Sequence, residues 1–372
     1  MAPGIVPTEH CSADQQQPVT TTSAPPTKTV AAVIELARRF VEERFSATPG
    51  FRGAHLVGSI NHLPGTALFP TYQDVDIAIV LDSVDYQEIE EVLVDGYVLE
   101  CILSGSSRYQ SAEAILAVPG MACNLQPNSV LVDPDGLLTH IHQVVAAEFA
   151  QRKWVSLRTE DELHGAEISL TAMAEAENPV DLIKAWGDFI MHCSAAITVC
   201  HLKPPTHRRT LVNLKALMQS QEEQELYHQI LEAFGSTQLS EAEVRLFLDQ
   251  CLAAFDRAIE VKKQPVPFDW KLDPCIRDYL QKGTLEIIDE GAHRESLFWI
   301  ALFFLISTLA IHQDGSPEEK PAYTARLINF LRALGLESPE AIKRRVQLCM
   351  PLHQRVAEYV RKSVATSPRF TD

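Results

Sequence analysis

No two of the eight cysteines in this chain stand in a CxxC pair. Cys11, Cys101, Cys123, Cys193, Cys200, Cys251, Cys275 and Cys349 are scattered, and Cys101 and Cys251 sit inside apolar runs. That pattern excludes a disulfide framework and points to buried thiols in a reducing compartment. Basic residues are also short: 32 Lys and Arg stand against 49 Asp and Glu, a formal net charge of -17. An acidic body repels a phosphate backbone, so extended nucleic-acid binding is disfavoured. A small anion held by a metal and a few local cations stays compatible with it. No apolar run reaches the roughly 20 residues of a membrane span. The most apolar stretch, Leu297 to Ile311, is bounded by Arg294, Glu295, His312 and Asp314 and reads as a buried helix. No basic segment followed by an apolar one opens the chain, and residues 1–28, rich in Pro, Thr, Ser and Gln, read as a disordered tail. The expectation is a cytoplasmic protein without a membrane segment. No repeat of fixed period is found.

What is present is enough apolar material, 46% of 372 residues, for two cores. Ile34, Ala37, Phe40, Val41 and Phe45 recur at helical spacing and predict a helix over Val30–Phe45. Short strands are expected at Gly53–Val57, Val75–Leu81, Tyr97–Leu103 and Ser129–Val132, with helices at Asp85–Leu93, Ser111–Val118 and Leu137–Ala150. From Thr159 onward the pattern turns to long helical segments punctuated by Pro204-Pro205 and Pro265 to Pro267. The expected class is α+β. A small mixed sheet domain spans residues 29–155, an all-helical domain 156–365, and a tail 366–372.

The stretch that carries chemistry runs from Gly58 to Leu81. A strand delivers Gly58-Ser59 at its end, where a residue without Cβ lets backbone approach a ligand closely. A helix starting after Ser59 offers free amides to a phosphate, and the hydroxyl adds a donor. Asp74 and Asp76 lie two apart on a strand, so both carboxylates point to one face. Such a pair repels itself unless a cation lies between or one acid takes a proton. Magnesium suits it, because it binds one or two carboxylates together with phosphate oxygens. Glu100 is an acid in the otherwise apolar run VLECIL and reaches the same edge if its strand is a neighbour. Three carboxylates around one or two ions, one able to accept a proton from a hydroxyl, meet the requirements of in-line phosphoryl or nucleotidyl transfer.

A Gly-Ser pair, a spacer, Asp-Val-Asp on a strand and a later acidic strand resemble the DNA polymerase beta nucleotidyltransferase superfamily. Within it the chain is most similar to the small-molecule branch, such as aminoglycoside and lincosamide nucleotidyltransferases. The run Leu131 to Gly136 (LVDPDG) resembles a segment closing the catalytic domain of that branch. The resemblance covers residues 30 to 155, and the spacer from Ser59 to Asp74 is longer than in compact members. It implies that residues 29–155 form the catalytic domain, that Gly58 and Ser59 hold triphosphate oxygens, that Asp74 and Asp76 ligate magnesium, and that Glu100 is the third acid. It further implies AMP transfer from ATP, or another nucleoside triphosphate, to a hydroxyl of a small-molecule acceptor. The alternatives are a protein or RNA acceptor, or a non-catalytic nucleotide-binding protein of the same fold.

Positive charge for the triphosphate is sought in Arg108 and in Arg208, Arg209 and Lys215, which otherwise read as a solvated helix start. Glu175, Asp181 and Asp188 are candidates to contact the acceptor. His140 and His142, two apart near a helix start, point to different faces and read as surface residues. His192, Cys193, Cys200 and His201 lack zinc spacing and read as parts of a packed helix. Asp133 and Asp135 are turn formers first.

Overall fold

A computed structural model of the chain describes residues 27–84 and 88–372. Helix α1 (Val30–Phe45) starts where the Thr29 hydroxyl accepts the Ala32 N–H, and it buries Val33, Leu36, Ala37 and Val41. Strands β1 (Phe51–Val57), β2 (Val75–Leu81), β3 (Glu88–Val94), β4 (Tyr97–Gly105) and β5 (Val130–Val132) form one sheet in the order β3-β4-β2-β1-β5. The β2–β4 pair is parallel and the other pairs are antiparallel. Alternation along β2 places Val75, Ile77, Ile79 and Leu81 in a core shared with α1. Asp76, Ala78 and Val80 therefore look the other way. On that face Val80 meets a second core built by α2 (Ala112–Ala117), α3 (Pro119–Leu125) and α4 (Leu137–Glu148).

The rest of the chain is helical. It comprises α5 (Arg152–Glu175), α6 (Pro179–Cys200), α7 (Thr210–Ser220), α8 (Gln224–Phe234), α9 (Glu241–Val261), α10 (Arg277–Asp289), α11 (Leu297–Asp314), α12 (Lys320–Ala333) and α13 (Pro339–Thr366). Asn178 caps α6 ahead of Pro179, and Ser240 with Glu243 forms a reciprocal capping box on α9. Helix α11 is, by length and composition, apolar enough to cross a membrane, but most of it is buried in the helical core against α9. Val98 of β4 joins that same core and ties the sheet to the helical half.

The α+β class expected from the sequence is the class observed. Three local readings differ. The helix expected over Asp85–Leu93 is, from Glu88 on, strand β3; residues 85–87 lie outside the described ones. Asp95-Gly96 is the reason. Both residues have positive φ, 48° and 82°, and Val94 pairs with Tyr97, so two residues close a hairpin. Helix α3 forms where no element is expected, its first turn held open for Pro119. Residues 366–372 are not a loose tail: Thr371 bridges to Gln151, Arg152 pairs with Asp372 at 2.8 Å, and Phe370 is buried. The tail expected over residues 1–28 lies, apart from Thr27 and Lys28, outside the described residues.

Among the described residues Cys101, Cys123, Cys193, Cys200, Cys251 and Cys349 are buried free thiols, and Cys275 is half-buried.

Candidate metal centre

Strand register assembles the site. Asp76 of β2 stands beside Glu100 of β4, and Glu100 stands beside Glu91 of β3. Val57, the last residue of β1, is the partner of Asp76 on its other side, so Gly58 emerges next to that carboxylate. Asp74, one residue ahead of β2, completes a set in which one oxygen each of Asp74, Asp76 and Glu100 lies within 4.8 Å of the others. A single hard cation fits such an oxygen set.

Gly58 has φ 76°, and a Cβ built on it would lie 2.6 Å from Asp76 Oδ2. Only glycine leaves the room. Its N–H donates to Asn124 Oδ1 of α3 at 3.0 Å, so this amide is engaged within the protein. Ser59, exposed, opens a single 3-10 turn, Ser59–His62, which Asn61 ties back to the Leu56 carbonyl at 3.1 Å.

Four carboxylates in this space oppose one another. Burial pushes Asp74 up to about 6, and Glu100 adds to the rise. Burial and then the charges of Asp74 and Glu100 hold Asp76 well above the usual carboxylate range. Glu91 is pushed up to about 7, first by burial, against the opposing pull of Lys271. Carboxylates that resist losing protons in the absence of a cation are those that a cation would stabilise most.

The helical half supplies the positive groups. Lys271 lies in a short 3-10 turn (Asp269–Lys271) between α9 and α10; its Nζ reaches Glu91 Oε1 at 3.0 Å and also bonds Glu100 Oε2. Arg208 precedes α7. It donates to the Gly283 carbonyl at 2.6 Å and to Glu286 Oε2 at 3.3 Å, and it lies over the Tyr279 ring at 5.2 Å. Its charge acts on Asp74. A Cβ on Gly283 would come within 2.4 Å of Arg208 Nη1, so α10 is notched where the guanidinium lies. Tyr279 is buried, and the charge of Asp74 helps hold its phenol protonated, second to burial. In the same segment as Arg208, Lys203 acts on His62 of the 3-10 turn.

The structure thus brings together Asp74, Asp76, Glu100 and Gly58, with Ser59 beside them and Arg208 across the junction. Arg209 is paired with Glu290 at 2.6 Å and Glu286 at 3.7 Å. Lys215 is paired with buried Glu295 at 3.0 Å, beside a separate hollow lined by Tyr227 and His228. Asp181 takes part in the α6 cap, and Asp188 is bonded to Lys184. His192 is bonded to Glu162 at 2.7 Å. His142 bonds the Leu125 carbonyl at 2.9 Å, and the Asp133 carboxylate accepts the Leu138 and Thr139 amides at the start of α4.

Sequence reasoning misses Glu91, Lys271, Asn124 and Tyr279. For Glu91 a signal existed: the Asp95-Gly96 turn places VLECIL opposite EIEEVLV and sets acid against acid. For Lys271 and Asn124 nothing local in the chain points to the site.

Fold and site define an α+β protein with a carboxylate centre at the junction of a mixed sheet and a helical half. No family model matches the chain, and no curated protein matches it. Among solved structures it is similar to a nucleotidyltransferase-like protein from Exiguobacterium sibiricum 255-15, with 11% identity over 82% of this chain and 92% of that one and a TM-score of 0.31.

Proposed function

We propose that the chain is a magnesium-dependent nucleotidyltransferase that moves AMP from ATP, or another nucleotide from its triphosphate, to a hydroxyl of a small-molecule acceptor. The observation that carries this reading is the convergence of Asp74, Asp76 and Glu100 beside Gly58. Asp74, Asp76 and Glu100 would hold the ion, which when bound supplies charge neutralisation for the phosphates of an in-line displacement. The exposed Ser59 hydroxyl offers a phosphate a donor beside the acids, and the charge of Arg208 acts on Asp74 from the helical half. Arg208 is preorganised by Gly283, Glu286 and Tyr279, so little ordering cost attends its use as a phosphate clamp. Glu100 would accept the proton of the acceptor hydroxyl as that oxygen bonds the α-phosphorus and pyrophosphate departs. The acceptor would lie between sheet and helices, where acids favour a cationic molecule. The formal charge of -17 opposes a nucleic-acid acceptor, and the proposed location is the cytoplasm.

The test is pyrophosphate release from ATP, GTP, CTP and UTP with magnesium against a panel of hydroxyl-bearing amines, sugars and polyols. Asp76→Asn serves as control. Release that needs magnesium and an acceptor and disappears in the folded variant supports the reading. Release unchanged in that variant excludes it, and nucleotide binding without turnover would favour a regulatory protein.

A further inference from the structure

Glu91 and Lys271 extend the centre beyond the three acids that gather around one point. Glu91 lies on the far side of Glu100 from Asp76, in register across the β3–β4 hairpin. Between Glu91 and Glu100 sits the Lys271 ammonium, bonded to both. We propose that this ammonium takes the place a second divalent cation would occupy, so that the centre binds one divalent ion, on Asp74, Asp76 and Glu100, and not two. The inference rests on the reading of those three residues as ion ligands.

The position of Lys271 is built, not incidental. Its side chain is 12% exposed. The turn that carries it is anchored by Val266 and Leu272 in the helical core and by Lys262, which pairs with Asp269 at 3.1 Å. Phe268 adopts the left-handed region with φ 62°, and its carbonyl accepts the Lys271 N–H at 3.0 Å. A long flexible side chain is thereby aimed from a fixed base. Glu91 is placed just as deliberately: its side chain is 4% exposed, Oε1 accepts from Lys271, and Oε2 is buried with no partner. A buried carboxylate oxygen left unpaired is costly. It marks a position with more acceptor capacity than a singly charged ammonium uses.

Charge arithmetic points the same way. Asp74, Asp76, Glu91 and Glu100 carry four negative charges when ionised, and Lys271 returns one. One divalent ion then leaves a net single negative charge. A second would have to lie against the ammonium, where like charges repel.

The experiment is a titration of the full chain with Mn2+ alone, read by calorimetry and by electron paramagnetic resonance. The expected stoichiometry is one ion in the wild type with a mononuclear spectrum. Two ions are expected in Lys271→Met, and one again in the double variant Glu91→Gln with Lys271→Met. Two ions in the wild type, seen as a spin-coupled pair about 3.5–4 Å apart, overturn the proposal whether or not any variant folds. One ion in both the wild type and a folded Lys271→Met overturns it as well. No ion in the wild type defeats the ligand assignment of Asp74 and Asp76 itself, a different failure that takes this inference with it.

Discussion

Asp76 and Glu100 are direct partners across the parallel β2–β4 pair, and each is the sole acid on its strand. A half-buried and a buried acid side by side, with Asp74 within reach of both, make the folded chain tense in the absence of a cation. Removing one charge should therefore relieve the fold while disabling the site. Asp76→Asn is expected to lower magnesium-dependent turnover about 10³-fold and to raise the metal-free Tm by about 1–2 °C. Differential scanning calorimetry beside the pyrophosphate assay checks both directions at once. A lower Tm would contradict the repulsion argument.

Proton and metal compete for the same oxygens, so ion affinity should depend on pH. Asp74 is raised to about 6, and Asp76 is held well above the usual carboxylate range. The folded state thus takes up protons that the unfolded chain, titrating near 4, does not. Without metal, the contribution of Asp74 to stability falls as pH rises through about 4 to 6, and it stays unfavourable above that window. Divalent-ion affinity moves the opposite way. It should weaken by up to about tenfold per pH unit for each proton displaced as pH falls below about 6. Calorimetric titration with Mn2+ between pH 5.5 and 8 in buffers of different ionisation enthalpy, values chosen to bracket that range, gives both the affinity and the proton release.

His55, two residues before Val57 on β1, predicts a pH effect of opposite sign. It is buried on β1; its Nδ1–H donates to the Leu56 carbonyl at 3.0 Å, and its Nε2 accepts the Tyr109 hydroxyl at 3.0 Å. Burial lowers it to about 4. A folded-state value below the unfolded one means that the stability is complete above about 6.5 and is lost as pH falls toward 4, by about 3 kcal/mol in all. Denaturant unfolding of His55→Gln at neutral pH and at pH near 4.5 should show a weaker acid loss than the wild type. Equal losses would sink the assignment.

Gly283 separates helix propensity from site geometry. In an exposed helix, alanine in place of glycine adds about 1 kcal/mol. Here the added Cβ meets Arg208 Nη1 at 2.4 Å, so the guanidinium must leave its place. Gly283→Ala should raise KM for the nucleotide about tenfold with a smaller change in kcat, because the clamp acts on binding. Gly120→Ala, whose Cβ meets nothing within 4 Å, is the control and should change neither constant.

Much of the site was legible in the chain because it is local. Helix α1 follows its apolar spacing from end to end, and a DxD on the edge of a buried strand forces two carboxylates onto one face. The Gly58-Ser59 bend reads from the strand that ends before it. β3 was hidden because its acid-rich sequence also suits a helix, and only the two-residue turn at Asp95-Gly96 decides between them.

Local periodicity and backbone preference, which act over a few residues, determined the class of the fold, the buried character of α11 and the aspartate pair. The tertiary structure alone decided which charges meet. Lys271 stands 171 residues from Glu100, and Arg208 stands 75 residues from the Gly283 carbonyl that holds it. An ion pair leaves no periodic mark on either partner's neighbourhood. Its existence depends on how the helical core docks on the sheet edge, and that is settled by packing summed over the whole chain.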